Sequence, residues 1–197
     1  MACTPQAALQ GITYDCANII GGIKSLYVGY KKGGATFGGF EGLGGVLIER
    51  NYTAANYGTI DVSAATADPN GTTFYEVEFN TKDGVSVFTD VVTIAADGTK
   101  EVVPTIMVEV PLMSVNNMQA LADMSQAGVE LVALVGTAAS TYHLVGADFG
   151  LYAASIDGTS GTGRSEKNRY QLTLTGSEGE LAYQFLNEAD FNTMAAL

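Results

Sequence analysis

A two-residue alternation limits this fold more than anything else in the chain. In TTFYEVEFN (72–80), Phe74, Glu76 and Glu78 fall on one side of an extended backbone, and Tyr75, Val77 and Phe79 on the other. Period two belongs to a strand with one face buried. Short runs rich in Val, Ile and Tyr recur along the chain: KSLYVGY (24–30), GGVLIERNY (44–52) and GTIDVSAA (58–65), separated by glycine-rich breaks. TKDG (81–84) reads as a turn, which predicts that 74–79 and VSVFTDVVTI (85–94) pair as a hairpin. AADG (95–98) is a second turn before EVVPTIMVEVPL (101–112), where Pro104 predicts an edge strand or a bulge.

One helix is expected. Ser114 can cap VNNMQALADMSQA, Gly128 can end it, and Val115, Met118 and Leu121 or Ala122 share a face predicted to pack on a sheet. Met118 and Met124 are read as core residues. The apolar runs on either side, IMVEVPL and VELVALVG, are read as strands. STYHLVGADFGLYAASI (140–156) is a long strand or a bent pair, and RYQLTLTGSEGELAYQF (169–185) a hairpin turning at Gly176 to Gly179. The last stretch, LNEADFNTMAAL, has too little pattern to place. The expected class is mainly β: an antiparallel β-sandwich or partly closed barrel, with one α-helix and long loops. Residues 1–197 are expected to form a single domain with an extended N-terminal arm and a C-terminal tail.

Charge narrows the partners. Nine Lys and Arg face 21 Asp and Glu, a net charge of -12. Phosphate-binding surfaces need cations, so general nucleic-acid binding and docking on an anionic membrane are both disfavoured. MACTPQAALQ lacks a basic and an apolar segment of the secretory kind, so a soluble protein made in a cytoplasm is expected.

The groups available for chemistry are few. His143 is the only histidine, and Cys3 and Cys16 are the only cysteines, so one chain cannot supply a tetrahedral Cys/His zinc site. The two thiols are read as reduced. His143 and Asp148 with a serine would make a triad on paper, yet no G-x-S-x-G elbow exists and YHLV puts the histidine in mid-strand. GFEGLGG (39–45) and GTSGTGRS (158–165) miss both the dinucleotide and the phosphate-loop spacing and are read as loops. No catalytic, cofactor-binding or metal-ligating residue is assigned, and no enzyme activity is expected. Exposed sheet edges must be guarded or used, which points to self-assembly.

The order of elements, a β-rich N-terminal half, a long hairpin, then strand, capped helix, strand and closing hairpin, resembles bacteriophage tail tube proteins. The carrying stretches are MACT…YDC…GGIKSLYV, VEVPLMSVNNMQALADMSQAGVELVALV and NRYQLTLTGSEGELAYQF. They are similar to virion structural proteins of phages of Bacteroidetes-type hosts. The resemblance implies hexameric rings stacked into a hollow tube in the virion tail, with inner sheets forming the lumen wall and the helix outside. Its partners would be further copies of the chain and other tail proteins (sheath, terminator, tape measure or baseplate), with DNA passing through unbound. Alternatives are a head–tail connector, a tail terminator, a capsid-decoration protein, or a carbohydrate- or cell-surface-binding sandwich. The last lacks any Trp but has ten Tyr.

Between residues 51 and 163 there are 13 acidic side chains and two basic ones. Carboxylates repel passing phosphates, so Glu76 and Glu78 are expected to face the lumen. Three of the nine cations, Arg164, Lys167 and Arg169, crowd into six residues and are expected to meet carboxylates of a neighbouring copy.

Overall fold

The computed structural model describes residues 21–31, 73–81, 85–161, 167–185 and 187–196, and the backbone of 46–51 and 59–65. Its elements are β1 (Ile23–Tyr30), β2 (Val46–Asn51), β3 (Thr59–Ala65), β4 (Phe74–Glu76), β5 (Val87–Ile94), β6 (Lys100–Pro111), α1 (Val115–Met124), β7 (Leu131–Thr137), β8 (Tyr142–Val145), β9 (Leu151–Thr159), β10 (Arg169–Gly176), β11 (Tyr183–Phe185) and α2 (Glu188–Ala195). Among the described residues all eleven strands share one sheet, with the path β2-β3-β11-β8-β7-β9-β10-β6-β5; β1 joins β7, and β4 joins β1. Pairing is antiparallel except between β11 and β3. The sheet stays open, since β2 and β5 end its path. It is a mainly β, sandwich-like fold, as expected, and not a barrel.

The core explains the folding-over. β7 is apolar on both faces: Leu131, Ala133 and Val135 enter one cluster, Val132 and Leu134 another. A strand that reads as an unbroken apolar run is one covered on both sides. The first cluster lies between β1, β7 and β8 on one side and β6, β9 and β10 on the other, filled by Leu26, Ile106, Val108, Leu172 and Leu174. The second is closed by α2, whose Phe191 and Met194 are buried against Tyr142, Phe185 and Phe74. The sheet changes layer where β7 and β9 touch through the single pair Leu131 and Leu151.

The alternation at 74–79 survives, but its partner is different. Phe74 joins the second cluster while Val77 and Phe79 pack on the first. Beside β1 both faces find a core. β4 therefore pairs with β1 in register Tyr27–Glu76, and the Val77 N–H continues to Leu26 O at 2.9 Å. The expected hairpin with β5 does not form; β5 turns at 95–99 and pairs with β6. The hairpin expected at 169–185 is also absent. Leu172 and Leu174 belong to the first cluster, Tyr183 and Phe185 to the second, so the chain crosses between layers at 177–182. Gly176 allows that crossing: a Cβ there would stand 2.5 Å from the Gly150 carbonyl oxygen.

Pro104 lies in a strand with a neighbour on each side, not on an edge. The Val102 N–H and C=O both bond to Glu178, and period two turns the Pro104 nitrogen toward the same neighbour. There the β6–β10 ladder lapses after Thr105–Thr175 and resumes at Val102–Glu178. The missing donor falls in the gap, and the Thr175 hydroxyl donates to the Pro104 carbonyl at 3.0 Å. The bulge-like irregularity was legible; the edge position was not.

Among the described residues two helices form, not one. In α1, Ser114 caps as expected, its Oγ accepting the Asn117 N–H at 3.1 Å. Only Leu121 is buried and Met124 packs on the core, while Val115 and Met118 are exposed. Asn117 Nδ2 donates to the carbonyls of Pro111 and Leu112, which holds the first turn over the end of β6. The expected packing of the whole stripe is thereby corrected. α2 went unplaced although its start was encoded: Asn187 Oδ1 accepts the Asp190 N–H, and Glu188 and Asp190 sit in the first turn.

Candidate interaction surface

Edge strand β5 is exposed along most of its length. Among the described residues it pairs with β6 alone, leaving its other margin without a strand. Val87 and Val91 project on one face, and Val92 and Ile94 are exposed on the other, Ile94 to 70%. From residue 91 to 101 every side chain is exposed. This arm closes through the Ala95 N–H to Thr99 O at 2.8 Å, with Gly98 at φ 87 and the Asp97 carboxylate accepting the Thr99 N–H. Ile94 stands directly opposite Lys100, so an apolar tip and a cation share one face. On the other face Glu101 is engaged by the Ser177 hydroxyl at 2.9 Å. The outward side chains of β5 at 87 and 91 are valines, while Asp90 between them turns inward and accepts the Ala182 N–H at 2.9 Å.

A groove of about 590 Å³ opens between α1 and the β1–β4 pair. Its floor is apolar, with Val110, Leu121, Met124 and Leu172, and Tyr30, Tyr75 and Asp123 stand beside it; Glu76 and Glu78 border it from β4, whose alternation turns Glu76 with Phe74 and Tyr27 to the opposite face. Among the described residues no Lys or Arg lines it. Glu76 also reaches Tyr27, whose hydroxyl is pushed up first by burial and then by that charge. Glu76 and Glu78 are both exposed.

The basic cluster has a partner within its own chain. Glu109, in the apolar run IMVEVPL, has a side chain only 2% exposed, and Arg169 Nη1 bonds to its Oε2 while Lys167 Nζ lies 3.4 Å from Oε1. Asn80 Nδ2 donates to the same Oε1 at 3.4 Å. Burial pushes the Glu109 carboxyl up, yet the donors Arg169, Asn80 and Lys167 outweigh it and hold it below the ordinary range. Sequence reasoning missed Glu109, although a lone carboxylate in an apolar strand was the signal. Arg164, Lys82, Cys3, Cys16 and the loop 39–45 lie outside the described residues.

No triad is assembled at His143. Its Nε2 is 3.2 Å from Thr141 Oγ1, its ring packs on Phe88 at 5.5 Å, and its Nδ1 meets no partner. Burial drives its pKa down to about 4. Asp148 instead accepts the Tyr183 hydroxyl at 2.9 Å. Glu178, buried at the crossover, accepts the N–H groups of Asp148 and Phe149 at 3.0 and 3.3 Å. Burial, reinforced by the Asp148 charge, raises its pKa to about 7. These groups fasten the 146–150 bend to the crossover. Among the described residues no three His, Cys, Asp or Glu converge to hold a metal ion, and no helix is long and apolar enough to cross a membrane.

Comparison with protein-family models, with curated proteins and with solved structures found no match for the chain.

Proposed function

We propose that this chain is a virion structural protein, a tail tube subunit that polymerises through its sheet margins into stacked rings enclosing a passage for DNA. The observation that carries the reading is β5: an exposed, valine-rich strand that among the described residues pairs on one side only, at one end of an open sheet whose other end, β2, is likewise paired on one side only among those residues. Pairing β5 of one copy with the next satisfies its backbone groups and covers Val87 and Val91 together. Closed rings stop the pairing from running on. At -12 per copy, a ring turns carboxylates toward its channel and repels phosphate.

Negative-stain microscopy and light scattering on concentrated protein test this. Wild type is expected to form rings or tubes of uniform width, and Val87→Lys/Val91→Lys to remain monomeric with an unchanged circular-dichroism spectrum. Isolated rings that never stack favour a connector or terminator. A second reading, a glycan-binding sandwich, draws on Tyr30 and Tyr75 beside Asp123 at the groove, since exposed rings and acids are what a sugar stacks on and hydrogen-bonds to. Monomers at every concentration that bind glycans would replace the first reading with the second.

A further inference from the structure

The layer that ends at β5 has a second open margin. β9 meets β7 through the single pair Leu131–Leu151, and beyond it, among the described residues, 152–159 pair with β10 alone. β9, β10, β6 and β5 lie side by side over the first cluster, each antiparallel to the next. The two margins of this four-stranded layer therefore run in opposite directions. Beside a second copy in the same orientation, β5 meets an antiparallel β9.

The backbone groups on the two margins match. The Val102 N–H and C=O bond to Glu178, so even-numbered residues of β6 bond toward β10 and odd-numbered ones toward β5. Carried through the registers, this turns the backbone groups of Phe88, Asp90 and Val92 outward on one margin and those of Ile156 and Gly158 outward on the other. The Phe88 and Ile156 side chains both pack on the first cluster, so a joined sheet keeps its core face and its outer face in step.

The side chains are compatible too. Tyr152 is exposed beside Thr175 on the outer face of β9, the face on which β5 presents Val87 and Val91. Each strand carries one charged residue, and the two lie on opposite faces. Asp90 turns inward to the Ala182 N–H, whereas Asp157 stands on the outer face opposite Gln171. No register of β5 on β9 sets one carboxylate against the other. Pairing β5 with a second β5 about its centre would bring two Asp90 side chains onto one face, opposite or diagonal to each other. Such a two-fold contact also stops at a dimer.

We propose that β5 of one copy pairs with β9 of the next, antiparallel and along 152–159. The contact joins two different margins, so it is head-to-tail and closes into a ring. The inference rests on the assembly reading above and names the partner of β5.

The test combines Thr89→Cys with Ser155→Cys, Asp157→Cys or Thr159→Cys, in a Cys3→Ser/Cys16→Ser background, oxidised after assembly and run on a non-reducing gel. These outer-face positions make the close, non-hydrogen-bonded pairs across such a seam, and the three combinations sample registers two residues apart. One combination should give a ladder of dimers, trimers and higher species, and each single cysteine should stay monomeric. In parallel, Val92→Pro removes an outward N–H and spares the β6 ladder, while Ser155→Lys/Asp157→Lys charges the β9 margin. Each should raise the concentration needed for assembly by about tenfold or more, with an unchanged circular-dichroism spectrum. If wild type assembles but no combination gives a ladder and the β9 lysines have no effect, β9 is not the partner and the assembly reading stands. Dimers from Thr89→Cys alone would show β5 pairing with itself and equally overturn the inference. If wild type never assembles, both fall.

Discussion

Replacing Arg169 by methionine isolates what the buried carboxylate of Glu109 demands. The methionine keeps most of the apolar stem, so the change removes chiefly the guanidinium that bonds to a side chain 2% exposed. Breaking a buried pair while leaving its other charge in place costs about 3–5 kcal/mol. Lys167 remains at 3.4 Å but is itself 46% exposed, so the lower end, about 3 kcal/mol, is expected. At roughly 2–4 °C per kcal/mol for a chain of this size, the melting temperature falls by about 6–12 °C. The sign with pH follows from Glu109. In the native protein its pKa is lowered, so the pair contributes stability above the unfolded glutamate value, and this is lost as pH falls through the native one. Without Arg169, burial is opposed only by weaker donors and the pKa moves up, so acid neutralises the unpaired charge. Urea unfolding at pH 7 and pH 4 should therefore show a deficit that shrinks on acidification, and Glu109→Met/Arg169→Met should recover most of it. A deficit under about 1 kcal/mol, or one equal at both pH values, refutes the reasoning.

Two further outcomes follow from the second layer. His143 has its native pKa depressed to about 4 from 6.5, so its contribution is lost as pH falls between those values; Glu178 is raised to about 7 from 4.5, so its contribution is lost as pH rises. Each amounts to about 3 kcal/mol, and between roughly pH 4.5 and 6.5 they oppose one another. Relative to wild type, Glu178→Gln should gain stability as pH rises through that window and His143→Phe should lose it; parallel denaturation profiles for all three proteins would contradict this. Phe191→Ala removes a ring that meets Tyr27, Tyr142 and Phe185 and is 2% exposed, and should cost about 3–5 kcal/mol in urea unfolding. A loss below about 1 kcal/mol would show that α2 does not close the second cluster.

The strands were legible because alternation is local: β1, β6, β10 and the two faces of 74–79 follow from spacing two residues apart. The cap of α1 was legible for the same reason, one hydroxyl and one N–H three residues on. Partners were not. Leu172 and Leu174 carry the same pattern as Tyr183 and Phe185, yet one pair fills the first cluster and the other fills the second. Nothing in an alternating run says which of two cores it will meet. Likewise Val115 and Met118 complete an apolar stripe that the tether at Asn117 keeps away from the sheet.

The groups at the interaction surface divide in the same way. That Glu76 and Glu78 are exposed on one face is a property of the strand, readable from residue order. That Arg169 and Lys167 converge on Glu109 from 60 and 58 positions away depends on which strands lie side by side. The mainly β character, the acidic charge and the turn at 95–98 follow from residue order alone, since each depends on composition or on neighbours a few residues apart. Tertiary structure decided the strand partners, the open margin at β5 and the partner of the basic cluster. Those depend on burying both faces of β7 at once, a condition that only the assembled layers can meet.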